Sequence, residues 1–104
     1  MALDMAALPL LPRVLDYAND GLIPAGSYNN RRHCLCSLVR DGEPDDALEM
    51  VAFDAQTSGG MLLAVPRDRL EEVRAFLREN GDLAAVVGEV LPVQADGAAL
   101  RLRA

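Results

Sequence analysis

The strongest apolar pattern lies in the second half of the chain. Met61–Val65 is an almost wholly apolar run of strand length, and it directly follows Gly59 and Gly60. Such a run is typical of a strand buried on both faces, so we expect it to be the central strand of a sheet. The apolar positions after Pro66 then recur at helical spacing: Leu70, Val73, Phe76 and Leu77. They predict a helix that ends at Gly81 and packs its apolar stripe in the core.

Weaker patterns predict the elements of the first third of the chain. Residues 3–5 alternate between apolar and polar like the end of a strand. Residues 11–19 predict a short helix that begins with Pro12 and stops at Gly21. The run 21–30 is rich in residues that favour turns, so it predicts an ordered loop.

The remaining segments predict a further helix and two strands. Residues 34–39 fit either a strand or a helical turn, and their periodicity does not decide between them. An acidic loop at residues 41–46 leads into a two-turn helix over residues 47–51. Residues 84–93 and 100–103 predict two strands joined by a tight turn as a hairpin.

This order of elements predicts the fold class. Helices and strands alternate without an internal repeat, which indicates an α/β or α+β fold with a mixed β-sheet covered by helices. A chain of 104 residues suits one domain over residues 1–104, since roughly 65% of its unfolded surface would be buried on folding.

Composition and charge exclude several classes of protein. The chain is 51% hydrophobic and carries a net charge of -6, which is too apolar for intrinsic disorder and too acidic to favour nucleic-acid binding. Its apolar runs are too short to cross a membrane. No secretory signal opens the chain, so we expect a cytoplasmic protein in which Cys34 and Cys36 are free thiols.

The polar loop before the apolar run is the best candidate for a binding site. Gly59 and Gly60 allow backbone amides to approach a ligand closely, and Thr57 and Ser58 offer hydroxyl donors. Such a loop suits an anion such as phosphate. The alternative is that the glycines serve a tight turn and the hydroxyls bond their own backbone.

Three segments of the chain resemble motifs of one known family. Asp54–Pro66 is similar to an aspartate-proline-glutamine-threonine-serine-glycine-glycine signature followed by an apolar strand. Gly21–Asn30 resembles a glycine-x-x-proline-glycine-glycine-threonine/serine-x-x-asparagine loop, and Val87–Val90 resembles an isoleucine/valine-glycine-glutamate stretch. Ala55 and Ala25 depart from these motifs, since they replace a proline and a glycine. The motifs are those of the C-terminal domain of selenophosphate synthetases (selenide, water dikinases).

The resemblance implies a PurM-like fold and a role in a larger enzyme. The family uses ATP, Mg²⁺ and selenide to make selenophosphate, releasing AMP and phosphate, and its two-domain chains form homodimers. This chain resembles the second domain, whose partner would be its own N-terminal ATP-binding domain. The family's catalytic cysteine or selenocysteine, its catalytic lysine and its magnesium-binding aspartates belong to that first domain, and this chain has no lysine. We therefore expect no catalytic residue here, no activity from the chain alone and an apolar surface where the first domain packs.

Two other interpretations stay open at this point. Another PurM-like enzyme, of the hydrogenase-maturation or thiamine-phosphate kinase type, would share the fold but not the loop chemistry. A free-standing binding module would keep the fold without catalysis.

The resemblance also implies which residues line the seam between the two domains. We expect a set of small and polar residues to face the phosphate or selenide side of the full enzyme: Asn29, Asn30, Gln56, Thr57, Ser58, Gly59 and Gly60. Arg31 or Arg32 would add an anion contact, and ordinary surface ion pairing is the alternative for both.

We expect no metal site within this chain. Asp54 is a single carboxylate without a partner, which makes a poor magnesium site, so we expect it to cap a turn. His33, Cys34 and Cys36 lie too close together for the usual spacing of zinc ligands.

Overall fold

Residues from opposite ends of the chain form adjacent strands of a mixed β-sheet. Strands β1 (Ala2–Asp4) and β4 (Leu100–Arg103) are parallel neighbours, and Leu3 pairs with Leu102. β2 (Leu38–Asp41) is parallel to β4 on its other side, and β3 (Gly88–Glu89) is antiparallel to β1. The computed structural model describes residues 1–56, 58–93 and 95–104, and over these residues the strand order is β2-β4-β1-β3.

The helices are α1 (Val14–Asn19), α2 (Ala25–Cys34), α3 (Asp46–Ala52) and α4 (Leu70–Glu79). Short 3₁₀ turns follow β1, precede β2 and precede α4, at Met5–Ala7, Leu35–Ser37 and Arg67–Arg69. Helices and a mixed sheet together confirm the predicted fold class. No helix in the described part of the chain is both long enough and apolar enough to cross a membrane.

The core lies between one face of the sheet and helix α3. Met5, Phe53 and Leu102 are buried at its centre. Leu38 and Leu100 pair across the parallel strands and pack against the same cluster. In β4 Leu102 is completely buried, whereas Leu100 and both arginines are half-buried.

Local signals set the ends of several helices. The side chain of Asp45 accepts a hydrogen bond from the Leu48 amide at 2.9 Å and so caps α3. Gly21 and Gly81 follow α1 and α4 in the left-handed conformation, with φ of 80° and 75°, where they end these helices as predicted. The start predicted for α1 is wrong, because Arg13 with φ of 65° precedes the helix and leaves Pro12 in a turn.

The loop predicted over residues 21–30 is wrong from residue 25 onward, where α2 begins. Pro24 stands at the N-cap with φ of -60° and ψ of 144°, so the chain enters the helix in an extended conformation that proline favours. Ser27 and Asn30 lie three residues apart on the helix, and both side chains bond to the segment after α3. These tertiary contacts stabilise a helix whose local composition favours turns.

The central strand predicted at Met61–Val65 is also wrong. Within the described residues this run pairs with no strand, and Met61 is 87% exposed. An apolar run predicts burial but does not supply the neighbouring strand whose hydrogen bonds would hold it in a sheet.

The predicted C-terminal hairpin is wrong as well. β3 covers two residues of the expected 84–93 strand, and it pairs with β1 instead of β4. β4 has parallel partners on both sides, β1 and β2, so neither of its edges is open to a hairpin partner.

The apolar stripe of α4 does not enter the core. None of the ten described residues of α4 is buried, and Phe76 is 65% exposed. Eight of the described residues between 61 and 93 expose large apolar side chains: Met61, Leu62, Leu63, Phe76, Leu83, Val86, Val90 and Val93. We refer to residues 61–93 as the apolar segment. The helical spacing of the apolar residues correctly identified the apolar face of α4. It could not show whether other residues of this chain cover that face.

Candidate functional site

The candidate loop leaves the core at the end of α3. Phe53 is buried, and its amide donates to the carbonyls of Glu49 and Met50 at 3.3 and 3.2 Å. Asp54 follows and is half-buried, and from Ala55 onward the described residues of the loop are exposed. The loop therefore starts from a firmly packed residue and reaches the surface within two positions.

Helix α2 lies beside this starting point. Ser27 Oγ donates to Asp54 Oδ1 at 2.8 Å, and Asn30 Nδ2 donates to the carbonyl oxygen of Phe53 at 2.9 Å. Ser27 is completely buried. Two of the three segments that carry the family resemblance, 21–30 and 54–66, are thus joined directly in the folded chain.

The loop itself is held by short-range bonds. Gln56 Nε2 donates to Asp54 Oδ2 at 2.5 Å, and the Gly59 amide donates to the Gln56 carbonyl at 3.2 Å. A Cβ on Gly59 would lie 2.9 Å from the Gln56 Cβ, so this turn has no room for a side chain there. Ser58 and Gly60 are exposed, and the prediction for Thr57 falls outside the described residues.

Asn29 and Arg32 do not join this group of contacts. Both are exposed on α2, and Arg32 Nη2 donates to Asn29 Oδ1 at 2.9 Å. Of the predicted site residues, the structure therefore ties Asn30 and Gln56 to the start of the loop, whereas Asn29 and Arg32 bond to each other.

Arg31 is engaged in an ion-pair group that the sequence did not reveal. Its Nε donates to Glu49 Oε1 at 2.6 Å, and Arg40 donates to both oxygens of the same carboxylate at 2.6 and 2.5 Å. The Glu49 side chain is 2% exposed, and the two arginines are about one-third exposed. Ordinary surface ion pairing is the alternative that the sequence offers for Arg31, but the sequence does not show which carboxylate is buried.

The hydrogen bonds in this group shift the pKa values of Glu49 and Arg40. The hydrogen bond from Arg40 lowers the pKa of the Glu49 carboxyl, the bond from Arg31 adds to this effect, and burial opposes it. The bond to Glu49 raises the pKa of the Arg40 guanidinium. Glu49 is therefore held as a carboxylate that both arginines share, and its bond to Arg31 leaves Arg31 less available to an outside anion.

The donors in the loop suit a phosphate group but not a metal ion. Ser58 offers a hydroxyl and Gly60 offers a backbone amide at the surface. Asp54 already accepts bonds from Ser27 and Gln56, and a lone carboxylate does not make a magnesium site. Among residues 1–56, 58–93 and 95–104, no group of three or more histidine, cysteine, aspartate or glutamate side chains is arranged to hold a metal.

The fold and these motifs agree with one family of proteins. Residues 18–100 match the family described as AIR synthase related protein, C-terminal domain. Because this match covers most of the chain, the chain belongs to that family.

The curated relatives show which members of this family the chain resembles. It is 50% identical over 103 residues, 99% of its length, to a protein of Nitratidesulfovibrio vulgaris (strain Miyazaki F) named "Selenide, water dikinase". A protein of the same name from strain DP4 is 45% identical over 72% of the chain, and one from Trichlorobacter lovleyi is 38% identical over 83%. Family match and identity together support a C-terminal domain of the selenophosphate synthetase type.

The chain is much shorter than these relatives. It spans 29% of the length of the Miyazaki F protein, 21% of the DP4 protein and 25% of the Trichlorobacter protein.

Proposed function

We propose that this chain is the C-terminal domain of a cytoplasmic selenide, water dikinase. The longer enzyme would use ATP and Mg²⁺ to convert selenide to selenophosphate, releasing AMP and phosphate. The partners proposed are a preceding ATP-binding domain of the same polypeptide and a second copy in a homodimer. The observation that carries the proposal is the 50% identity over nearly the whole chain to a protein named for this activity.

The chemistry of the loop supports a role on the phosphate side of the site. Phosphoryl transfer depends on donors that are already positioned where charge develops on the phosphoryl oxygens. Ser58 and Gly60 are exposed, and Asp54 connects the loop to α2. The Ser58 hydroxyl and the Gly60 amide would bind and orient phosphoryl oxygens without carrying charge themselves.

The charge that the reaction needs would come from outside this loop. When bound, ATP supplies the phosphoryl group and Mg²⁺ supplies positive charge. Within the chain, Arg32 is the better candidate for an anion contact, because Arg31 is already paired with Glu49. Neither arginine replaces the catalytic lysine expected in the preceding domain, which is why we expect the chain alone to be inactive.

The apolar segment supports packing against that preceding domain. Large apolar side chains are exposed along residues 61–93, and exposed apolar surfaces of this extent commonly mark interfaces. Domain interfaces within one polypeptide bury surfaces of this kind. We propose that the N-terminal ATP-binding domain covers the segment that follows the loop, which would put the loop at the seam between the domains.

A hybrid enzyme tests the proposed function. The chain is joined behind the N-terminal portion of the Miyazaki F relative, replacing its matching C-terminal region. We expect ³¹P NMR to detect selenophosphate and AMP when ATP, Mg²⁺ and selenide are present, and no product from either portion alone. Omitting selenide is the control for simple ATP hydrolysis. A hybrid that circular dichroism shows to be folded, yet makes no selenophosphate, contradicts the proposal.

A further inference from the structure

Asp54 ties together two segments that are far apart in the sequence. Its Oδ1 accepts from the hydroxyl of Ser27 at 2.8 Å, and its Oδ2 accepts from the amide of Gln56 at 2.5 Å. Ser27 lies on α2, whereas Gln56 opens the candidate loop. One carboxylate therefore bridges a helix and the loop.

Ser27 is the fixed end of this bridge. Its side chain is completely buried, Asp54 is half-buried and Gln56 is exposed. A buried hydroxyl that loses its acceptor finds no water in exchange, which costs about 1–3 kcal/mol. One turn further along α2, Asn30 donates to the Phe53 carbonyl at 2.9 Å and holds the backbone just before Asp54.

We infer that Ser27 is a positioning residue for loop residues 56 and 58–60 and acts on them through Asp54 and Gln56. The inference rests on the proposed function, in which this loop meets the phosphate side of the site. Ser27 sets the direction of the Asp54 carboxylate, which in turn holds the Gln56 side chain. The Gly59 amide then closes the turn by donating to the Gln56 carbonyl at 3.2 Å. Loss of one hydroxyl would thus leave the fold intact and release the loop.

NMR of the 104-residue chain tests this link directly. In the Ser27→Ala variant we expect the amide signals of Gly59 and Gly60 to shift. We also expect hydrogen exchange of the Gly59 amide, which donates to the Gln56 carbonyl, to accelerate about tenfold, the effect of losing one hydrogen bond to a charged group. Ser27→Thr keeps the hydroxyl and should restore both readouts. Ser37→Ala is the matched control, because Ser37 Oγ also donates within a half-buried site, to the Cys34 carbonyl at 3.3 Å. A folded Ser27→Ala variant with unchanged loop signals overturns the inference.

If Ser27→Ala does not fold, substitutions that exchange the hydrogen-bond donor and acceptor between positions 54 and 56 test the link to the loop. In Gln56→Glu a second carboxylate faces Asp54, so two acceptors meet and rotation of either group cannot restore the bond. Adding Asp54→Asn supplies an amide donor at position 54 and leaves its oxygen to accept from Ser27, which restores a bond between positions 54 and 56. We expect the single substitution to move the Gly59 and Gly60 signals and the double substitution to return them. Equal spectra for the two variants contradict the link.

Kinetics in the hybrid enzyme separate positioning from general stability. We expect Ser27→Ala to lower kcat about tenfold, with rescue by Ser27→Thr and no effect of Ser37→Ala, since misplaced groups lose transition-state contacts. Equal losses in Ser27→Ala and Ser37→Ala would overturn the role of Ser27 in the reaction. If the unmodified hybrid makes no selenophosphate, the proposed function fails, and the loop signals of the chain still decide whether Ser27 positions the loop.

Discussion

Arg40 on β2 donates two hydrogen bonds to the carboxylate of Glu49 on α3, from Nε at 2.6 Å and from Nη2 at 2.5 Å. Glu49 is almost completely buried, and Arg31 on α2 bonds to it as well. A strand and two helices therefore meet at one carboxylate. Glu49 lies in the middle of α3, one helical turn before Phe53, from which the candidate loop starts.

We expect Glu49→Gln to lower the free energy of unfolding by about 2–3 kcal/mol. Removing one partner of a buried ion pair typically costs about 3–5 kcal/mol, and the cost is smaller here because both arginines are partly hydrated. Urea unfolding measures the change. The matched control is Glu72→Gln, which breaks an exposed pair with Arg69 and should cost less than about 0.5 kcal/mol. Equal losses in the two variants would show that burial of Glu49 is unimportant.

Stability should depend on Glu49 at acidic pH. Its pKa is lower in the folded chain than in the unfolded chain, so the unfolded chain binds more protons where the group titrates. The contribution is present above about pH 4.3, the ordinary glutamate value, and is lost as the pH falls through the lower folded pKa. We expect unfolding midpoints of the wild-type chain to fall more steeply than those of Glu49→Gln between about pH 5 and about pH 3. Parallel curves would contradict this.

The two phenylalanines should respond very differently to truncation. Phe53 is 8% exposed and lies at the centre of the core, so Phe53→Ala should cost about 3–4 kcal/mol. Phe76 is largely exposed on α4, and Phe76→Ala should cost less than about 1 kcal/mol. Chemical denaturation of both variants gives the comparison. A large loss from Phe76→Ala would mean that the α4 stripe is buried after all.

Gly88 should not tolerate a side chain. A Cβ at this position would lie 2.0 Å from the Ala2 carbonyl oxygen, so β1 and β3 would have to separate. We expect Gly88→Ala to cost about 1–3 kcal/mol and to abolish the cross-strand contacts seen by NMR. Gly26→Ala is the control, since nothing lies within 4 Å of its Cβ position and alanine favours the helix. The prediction is wrong if Gly26→Ala destabilises the chain and Gly88→Ala does not.

The isolated chain should self-associate through its apolar segment. Met61 and Phe76 expose large apolar side chains, and such surfaces associate in water. Analytical ultracentrifugation should detect oligomers at high concentration, and the double substitution Met61→Ser and Phe76→Ser should weaken them. A wild-type chain that stays strictly monomeric would contradict this prediction.

Local pattern was enough to predict elements whose signals lie within one segment. Helices α3 and α4, the stop at Gly81 and the strand β4 are all present in the structure. Each depends on neighbours a few residues apart. Strand pairing depends on residues that are far apart in the chain. The sequence therefore predicts a hairpin of β3 with β4, whereas β3 pairs with β1.

Long-range contacts explain the remaining differences. Pro24, Gly26 and two asparagines favour turns locally, and bonds from Ser27 and Asn30 to the segment after α3 outweigh them in α2. Asp54 accepts from the side chains of Ser27 and Gln56, so it links two segments, and the turn-capping role expected for it stays a prediction. The sequence could not identify Glu49 as the buried acid, because burial depends on how α3 packs.

The position of β4 sets an order for assembly on the ribosome. In the sheet formed by the described residues, β4 lies between β1 and β2 and bonds to both, although it is the last of the strands to be synthesised. Until residues 100–103 leave the exit tunnel, the first strand has no parallel neighbour and Met5 and Phe53 lack the leucine that completes their cluster. Helices such as α3 can form during translation, but closure of the sheet must wait until translation has passed β4.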